Sequence, residues 1–148
     1  MTSPRVAAGQ GATYRLLGGD IVTLKVVGAD MNGAYTLLET ITPPGAGPPP
    51  HRHHREDETF YILAGQFEFH VGEQTIAAGP GDLLTAPLGT PHFFRNVGPS
   101  EGKLLILCRP AGFEHFVADF SQVPPDKPPD IAQLVAIGQK HGIEFVLG

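Results

Sequence analysis

The sequence lacks four features, each of which would have indicated a particular class of protein. It has no apolar run near the roughly 20 residues that span a bilayer, and residues 1–15 contain no apolar segment of the secretory type. Its single cysteine, Cys108, cannot form an internal disulfide. Its formal net charge of −5 leaves no basic excess to neutralise phosphates. These absences argue against membrane insertion, secretion and nucleic-acid binding, so the expected location is the cytoplasm.

Glycine and proline are abundant, at 19 and 15 residues, and they punctuate the sequence at intervals instead of forming low-complexity tracts. Between them lie short segments rich in apolar, β-branched and aromatic residues, a pattern typical of an all-β sandwich or barrel. Cys108 ends one such segment and is expected to be a buried core thiol, with a ligand or reactive role as the alternative. The predicted strands are Ile21–Val27, Tyr35–Thr42, Thr59–Ala64, Phe67–Val71, Gln74–Ala77, Asp82–Ala86, His92–Asn96 and Lys103–Arg109.

The character of the sequence changes after Pro110. A short helix is expected within residues 112–120, followed by the proline-rich linker at 122–130. Asp130 has the residue type of an N-cap, and it precedes an amphipathic helix predicted over residues 131–140. Gly142 is expected to end this helix, and the IEFVL segment at 143–147 could add an edge strand. The apolar face of the helix contains Ile131, Leu134, Val135 and Gly138, and it could cover either the barrel or a dimer seam.

Three histidines and three acids crowd the stretch HRHHREDE at residues 51–58. In a strand, residues two apart share a face, so His51 and His53 project together. Glu58 opens the next apolar segment, and a loop return could bring it beside the histidine pair. His92 lies at another transition from turn to strand. Three imidazoles and one carboxylate form a good ligand set for a divalent first-row metal, with an open position for water or substrate.

Other polar residues are assigned no part in this site. A histidine-rich loop can equally be a solvated one, so the HRH pattern is a weak signal when it is taken alone. Glu56 and Asp57 are predicted to face solvent. His70 alternates away from its apolar neighbours and is expected to be exposed or at an interface, while His115 and His141 are given no role.

Two spaced motifs strengthen the case for a metal site. Gly45 precedes His51-Arg52-His53, Glu58 and Gly65, in the pattern G-x5-HxH-x4-E-x6-G. Gly81 precedes Pro87-Leu88-Gly89, His92 and Asn96, in the pattern G-x5-PxG-x2-H-x3-N. Fifteen residues separate the motifs. With every position filled, the chain closely resembles the cupin superfamily, and in particular the small single-domain cupins likened to quercetin dioxygenases.

The resemblance implies a double-stranded β-helix, which is a small jelly-roll barrel with a short C-terminal helical segment. Residues 1–112 would form the barrel with its N-terminal strands, and residues 113–148 a helical extension packed on it. His51, His53, Glu58 and His92 would hold one metal ion (Fe, Mn, Ni, Co or Zn), and Asn96 would hold a turn. By alternation along the strands, the substrate pocket is predicted to contain Phe60, Ile62, Phe69 and Phe94.

A fold and a set of ligands do not fix a reaction, so alternatives stay open. The first is an oxygenase acting on an aromatic or enolisable small molecule, in which Glu58 is both ligand and proton acceptor. The second is an isomerase, decarboxylase or hydrolase that uses the metal as a Lewis acid. The third is a small-molecule-binding protein without catalysis. A homodimer is expected, because the apolar segment Ile21–Val27 could pair at a sheet edge.

Overall fold

The computed structural model describes residues 3–146, which form eleven strands and two α-helices. The strands are β1 (Ala12–Arg15), β2 (Ile21–Val26), β3 (Thr36–Thr42), β4 (His51–His53), β5 (Asp57–Ala64), β6 (Phe67–Val71), β7 (Gln74–Ala78), β8 (Leu83–Ala86), β9 (His92–Asn96), β10 (Gly102–Arg109) and β11 (Ile143–Phe145). The helices are α1 (Phe113–Phe120) and α2 (Ile131–His141), and Gly28–Asp30 form a short 3-10 turn.

The strands form two antiparallel sheets that face each other. One sheet has six strands in the order β1-β2-β3-β10-β5-β8, and the other has five in the order β11-β4-β9-β6-β7. Neighbours in space are often distant in sequence, as where β10 lies between β3 and β5. The sheets do not close into a continuous ring, and the arrangement is that of a jelly-roll. The predicted all-β class is confirmed.

Strand alternation determines which side chains form the core. Along β5, Phe60 and Ile62 are buried between the sheets, whereas Tyr61 and Leu63 are exposed on the outside. Along β10, alternate residues from Gly102 to Cys108 are buried in the same way. Because successive side chains of a strand point to opposite faces, this sorting follows from the sequence. All eight strands predicted before residue 110 are confirmed to within two residues at either end.

The C-terminal elements pack on the sheets through an acidic side chain and a strand pair. In α1, Glu114 accepts hydrogen bonds from the backbone N–H of Gly28 and Gly112 and from the hydroxyl of Thr36. These bonds tie the helix to β3 and to the turn that follows β2. Farther along, β11 pairs with β4, so that Ile143 lies opposite His53.

Both ends of α2 follow the prediction, whereas its apolar face is only partly buried. Asp130 Oδ1 accepts hydrogen bonds from Ala132 N and Gln133 N, which confirms the N-cap, and Gly142 ends the helix with a φ of 72°. The buried residues are Leu134 and Gly138. Ile131 and Val135 are 49% and 37% exposed, so only part of the predicted apolar face covers the barrel.

Gly138 fixes the orientation of α2. A Cβ at this position would lie 2.2 Å from Ile143 O, so the helix meets the backbone of β11 closely there. Ile137, which the sequence did not assign to the apolar face, packs against the core beside Gly138. Leu147, the end of the predicted final strand, lies outside the described residues.

The position of β2 removes one argument for the expected dimer, which was that its segment could pair at a sheet edge. β2 pairs with β3 on one side and with β1, which the sequence did not reveal, on the other. The segment Ile21–Val27 is therefore an interior strand, and the outer edges of this sheet are β1 and β8. The homodimer stays a prediction.

Within residues 3–146, no helix is both long and apolar enough to cross a membrane. The cytoplasmic location and the boundary at residue 112 stay predictions.

Candidate metal centre

Four side chains from the two sheets converge at one place between them. His51 and His53 come from β4, and His92, which pairs with His51, comes from β9. Glu58 reaches the same place from β5 in the opposite sheet. Each residue offers one potential ligand atom, and these atoms all lie within 4.8 Å of one another. The structure thus brings together the four residues that the sequence singled out.

The orientation of each imidazole is fixed by a hydrogen bond from Nδ1. The acceptors are Pro49 O for His51 at 2.7 Å, Thr90 O for His92 at 2.9 Å and Glu56 Oε1 for His53 at 2.7 Å. A carbonyl or carboxylate oxygen can only accept, so Nδ1 is the donor in all three. The atom of each ring left for a metal is Nε2, and acceptors of this kind hold the ring in place and raise its basicity.

Glu56 is the residue whose role the sequence missed. It was predicted to face solvent, but it is only 4% exposed and accepts the Nδ1 proton of His53. The spacing His-x-x-Glu places the carboxylate in the turn between β4 and β5, where strand alternation gives no prediction. Asp57 is different, because its side chain is 46% exposed and bonds to Leu88 N and Arg109.

Glu58 lies between two of the imidazoles and leaves one nitrogen without a partner. Its Oε1 lies 2.8 Å from His92 Nε2 in a hydrogen bond and 2.9 Å from His53 Nε2. The second contact lacks hydrogen-bond geometry, so His53 Nε2 is a buried nitrogen with no hydrogen-bond partner within residues 3–146. Such an atom costs free energy unless something else binds it. A divalent cation held by three imidazole nitrogens and one carboxylate would bind it, so the residues present fit a metal ion.

The charges in the cluster are strongly coupled. Burial, followed by the neighbouring His92 and His53, lowers the pKa of His51 to about 3. Burial opposes charge on His53 as well, but Glu58 and Glu56 raise its pKa to about 9. Burial would raise the pKa of Glu58, yet His53 and His92 hold it well below its usual value. The negative charge of Glu58 is therefore compensated by the proton on His53. A bound metal cation would replace that proton and compensate the same negative charge.

The turn at residues 87–90, which belongs to the second motif, positions His92. Thr90 N donates to Pro87 O over 3.0 Å, and Gly89 N donates to His53 O over 2.8 Å. Gly89 has a φ of 81°, a conformation that glycine adopts without a steric cost. The turn that presents one histidine is thereby bonded to the strand that carries another.

Asn96 holds a turn, as predicted, and it lies outside the cluster. Its Nδ2 donates to Thr42 O and to Ser100 O, each over 2.8 Å. Its Oδ1 accepts from Gly98 N over 2.8 Å. All of its hydrogen-bonding atoms are therefore occupied by backbone groups.

A pocket opens beside the cluster and encloses about 570 Å³ including its mouth, narrowing inside to room for a few water molecules. His51, Glu58 and His92 line it, and its wall includes no lysine or arginine. Most of the wall is aliphatic or aromatic, as expected of a site for a small organic ligand. Its aromatic members are Phe60, Phe94, Phe113, Phe116, Phe120 and Phe145.

Half of the predicted pocket residues line this cavity. Phe60 and Phe94 form part of its wall, whereas Ile62 and Phe69 are fully buried in the core and do not line it. Ile62 lies two residues beyond Phe60 on β5, and Phe69 is covered by Phe94 with ring centroids 5.3 Å apart. Sequence alternation gives the inward face of a strand but not the depth at which the cavity ends.

The C-terminal aromatic residues that line the pocket were not predicted. Phe113 of α1 lies against the four clustered residues, with its ring centroid 5.2 Å from that of His53. Phe116 and Phe120 stack in succession behind it, and Phe145 of β11 packs on Phe120. Their spacing on α1 indicates a buried helix face, but only the fold shows that this face meets the site.

Cys108 is a buried thiol, as predicted, and it lies opposite Glu58 in the pairing of β10 with β5. Burial, together with the nearby carboxylates Glu58 and Glu56, raises the pKa of Cys108 well above its usual value. The thiol is therefore neutral. The histidines assigned no role lie elsewhere, since His70 stacks on Phe93 and His141 bonds to Asp119.

Comparison with known proteins agrees with the fold and with the motifs. Residues 38–108 match the family model described as a cupin domain. The chain is 34% identical over 104 residues to quercetin 2,3-dioxygenase of Bacillus subtilis, which covers 69% of this chain and 30% of that protein. It is 32% identical over 74 residues to an oxalate-binding protein of Thermotoga maritima, covering 50% of this chain and 61% of that one.

A solved structure shows the same architecture. A protein from Thermotoga maritima, described as a predicted oxalate decarboxylase, superimposes with a TM-score of 0.67. The match covers 71% of this chain and 97% of that one at 23% identity, so it concerns the fold alone. The chain spans under a third of the dioxygenase and about three fifths of the oxalate-binding protein. The matched residues 38–108 contain both filled motifs and most strands of the jelly-roll, so this part of the chain is a cupin domain.

Proposed function

We propose that this protein is a metal-dependent dioxygenase that acts on an aromatic or enolisable small molecule. The observation that carries the proposal is a cluster of three imidazoles and one carboxylate that opens onto an aromatic-walled pocket lined by no lysine or arginine. Similarity to quercetin 2,3-dioxygenase over 69% of the chain supports the same chemistry.

His51, His53, Glu58 and His92 would hold one divalent first-row metal ion through three Nε2 atoms and one carboxylate oxygen. Bound there, such an ion supplies positive charge that favours the deprotonated form of a chelating hydroxyl and, if it is redox-active, electron transfer toward O₂. The chain supplies the rest. The Nδ1 bonds keep the three rings from turning, and Phe60 and Phe113 exclude water from the side on which the substrate lies.

Glu58 is the proposed proton acceptor. It lines the pocket, and its carboxylate accepts through Oε1 from His92. A substrate hydroxyl that enters beside Phe60 would meet this carboxylate, which could take its proton and leave an enolate. The oxygen requirement of the reaction is what separates this proposal from Lewis-acid chemistry.

The similarity to an oxalate-binding protein favours a second candidate, a cupin that binds a small acid or transforms it without O₂. The pocket argues against a small dianion as the ligand. Apart from the clustered residues and from Asp20 and Thr40, its wall is apolar, and it includes no lysine or arginine. Beyond the metal ion itself, a dianion would gain no ion pair with a lysine or arginine there and would be repelled by the Asp20 carboxylate.

The first experiment is elemental analysis of protein purified without a histidine tag, beside a His51→Ala/His53→Ala double variant. We expect one iron, manganese, nickel, cobalt or zinc ion per chain in the wild type and none in the double variant. His54→Ala is the matched control, because His54 lies in the same stretch but is exposed and bonds to Glu144. Absence of metal from the wild type, even after reconstitution, would contradict a metal site.

The second experiment follows O₂ consumption by the metal-loaded protein with a flavonol such as 3-hydroxyflavone. We expect O₂ uptake that requires the metal and falls to the background rate in Glu58→Gln. Turnover of a substrate in the absence of O₂ would favour the Lewis-acid alternative. A fully loaded protein that consumes no O₂ with flavonols or enediols would contradict the dioxygenase.

A further inference from the structure

The wall of the metal-site pocket contains one polar pair that no step of the proposed reaction uses. Asp20 precedes β2 and Thr40 lies in β3, and both side chains line the cavity among aliphatic residues. Both are almost wholly buried, at 4% and 2% exposure. Both lie away from the four clustered residues, as the strand register shows. Glu58 of β5 lies opposite Cys108 of β10, and Cys108 in turn lies opposite Thr36 of β3. Thr40 is four residues farther along β3, a distance of about 13 Å in an extended strand.

Thr40 has a buried hydroxyl with no hydrogen-bond partner within residues 3–146. The other buried threonines of β3 differ in this respect. Thr36 Oγ1 donates to Glu114, and Thr42 Oγ1 donates to Asp20 Oδ1 over 2.6 Å. A buried hydroxyl without a partner is unusual, and it costs free energy in the absence of a ligand. Only the threonine that lines the pocket is left in this condition.

Asp20 is also incompletely bonded. Its Oδ1 accepts from Thr42, while Oδ2 makes no hydrogen bond to residues 3–146. Burial raises the pKa of Asp20 to about 6, and the bond from Thr42 acts only partly against this. Near pH 7.5 the group is mostly a carboxylate that can accept a second hydrogen bond.

We infer that Asp20 and Thr40 form a binding subsite for a hydroxyl group carried by an aromatic ligand. Asp20 bonds to Thr42, which lies two residues from Thr40 on the same buried face of β3, so the two side chains are neighbours in the wall. A hydroxyl placed between them donates to the Asp20 carboxylate and accepts from the Thr40 hydroxyl. An ammonium group could not accept from Thr40, and a carboxylate would be repelled by Asp20. The rest of the wall, which includes Leu38, Phe94 and Ile106, favours an aromatic ring behind that hydroxyl.

The inference extends the proposed function to the far end of its substrate. A ligand that touches both ends would carry a chelating group at the metal and a second hydroxyl at the other end. The bonds at its two ends take up part of the strand offset of about 13 Å, which leaves roughly 10 Å between the two groups, the scale of two linked rings. The subsite itself needs no metal. Tested on metal-free protein, its failure is therefore distinguishable from failure of the dioxygenase proposal.

The experiment compares phenol with toluene, which are nearly the same shape and differ in one hydroxyl. Both are titrated at pH 7.5 into metal-free protein, and the methyl NMR signals of Val22 and Leu38, which line the pocket, report binding at this end. We expect phenol to bind at least as tightly as toluene to the wild type. In Thr40→Val, the ratio of the two dissociation constants should shift toward toluene by about tenfold, because a purely apolar site prefers the methyl group.

Three variants separate binding from folding. Thr40→Ser keeps the hydroxyl and should keep the preference for phenol. Thr85→Val makes the same substitution at an exposed position of β8 outside the pocket wall and should leave the ratio unchanged. Thr40→Val should unfold at the same urea concentration as the wild type or a higher one, because it removes a hydroxyl that has no partner.

Three results would overturn the inference. They are a wild type that prefers toluene as strongly as Thr40→Val does, an equal shift of the ratio in Thr85→Val, and methyl signals of Val22 and Leu38 that move with neither compound. A marked loss of stability in Thr40→Val would also count against it, because this would show a structural hydrogen bond from the hydroxyl.

Discussion

His53 Nδ1 donates a hydrogen bond of 2.7 Å to Glu56 Oε1, and neither residue is more than 4% exposed. A buried carboxylate behind a metal-ligating imidazole makes the other ring nitrogen a better ligand. The pair thereby connects a residue that binds no metal to the affinity of the metal site.

Glu56→Ala is expected to weaken metal binding by about 10- to 100-fold, because His53 loses the acceptor that orients and polarises its ring. Glu56→Gln keeps an oxygen acceptor without the charge and should have a smaller effect. Competition with a chelator of known affinity measures both variants. Asp57→Asn, the neighbouring exposed acid, is the control, and an affinity in Glu56→Ala equal to that of the wild type would contradict this role.

Asp20 predicts a dependence of stability on pH. Its native pKa of about 6 lies above the ordinary value of 3.8, because burial disfavours the charged form. Its contribution to the free energy of unfolding is therefore fully present below about pH 4 and is lost as the pH rises through 6. Between pH 4 and pH 7.5, the free energy of unfolding of the wild type should fall by on the order of 2 to 3 kcal/mol relative to that of Asp20→Asn.

Urea unfolding of both proteins at each pH measures this difference. Titration of the histidine cluster affects both proteins alike and cancels when the two free energies are subtracted. A difference that stays constant between pH 4 and pH 7.5 would show that Asp20 titrates normally.

Two glycines near the first motif should differ in their tolerance of a side chain. A Cβ at Gly47 would lie 1.9 Å from Phe94 O, whereas a Cβ at Gly45 meets nothing within 4 Å. Gly45→Ala should therefore cost only the strain of its φ of 80°, about 1 to 2 kcal/mol. Gly47→Ala should cost about 3 kcal/mol or more, because two backbones must separate.

The urea concentration at half-unfolding ranks the two variants. The prediction is specific to the fold, because Gly45 belongs to the motif and Gly47 does not. Greater sensitivity at Gly45 would contradict the close approach of Gly47 to β9.

The boundary at residue 112 can be tested by truncation. A chain that ends at residue 112 loses α1, α2 and β11, which uncovers the pocket wall and leaves β4 without one of its neighbours. We expect it to unfold at a much lower urea concentration and to bind metal more weakly. A chain that ends at residue 142 keeps both helices and isolates the effect of β11. Wild-type stability in the shorter chain would show that the barrel needs no extension.

The sequence predicted the parts of this molecule that depend on local periodicity. Alternation placed Phe60 and Phe94 on the inward face of their strands, and spaced motifs identified the four residues that converge. Asp130 and Gly142 marked the ends of a helix because capping is a local interaction. Such signals are contained in a few neighbouring residues.

The parts that the sequence missed depend on contacts between distant segments. Glu56 is buried in a turn, where no period applies, and its partner is a ring fixed by the fold. Thr36, Thr40 and Thr42 are alike in sequence, yet only Thr40 lacks a hydrogen-bond partner within the described part of the chain. The aromatic residues of α1 reach the pocket because a helix far along the chain folds back over β4.

The strand that carries His51 and His53 lies between β9 and β11, and the second of these neighbours is synthesised about fifty residues after His92. At ribosomal rates of about 5 to 20 residues per second, β4 waits several seconds with one edge open after the other ligands have emerged. The candidate metal site is therefore covered by β11 only after all four of its residues have been synthesised. Metal that reaches the nascent chain earlier would meet the ligands before the surface that covers them.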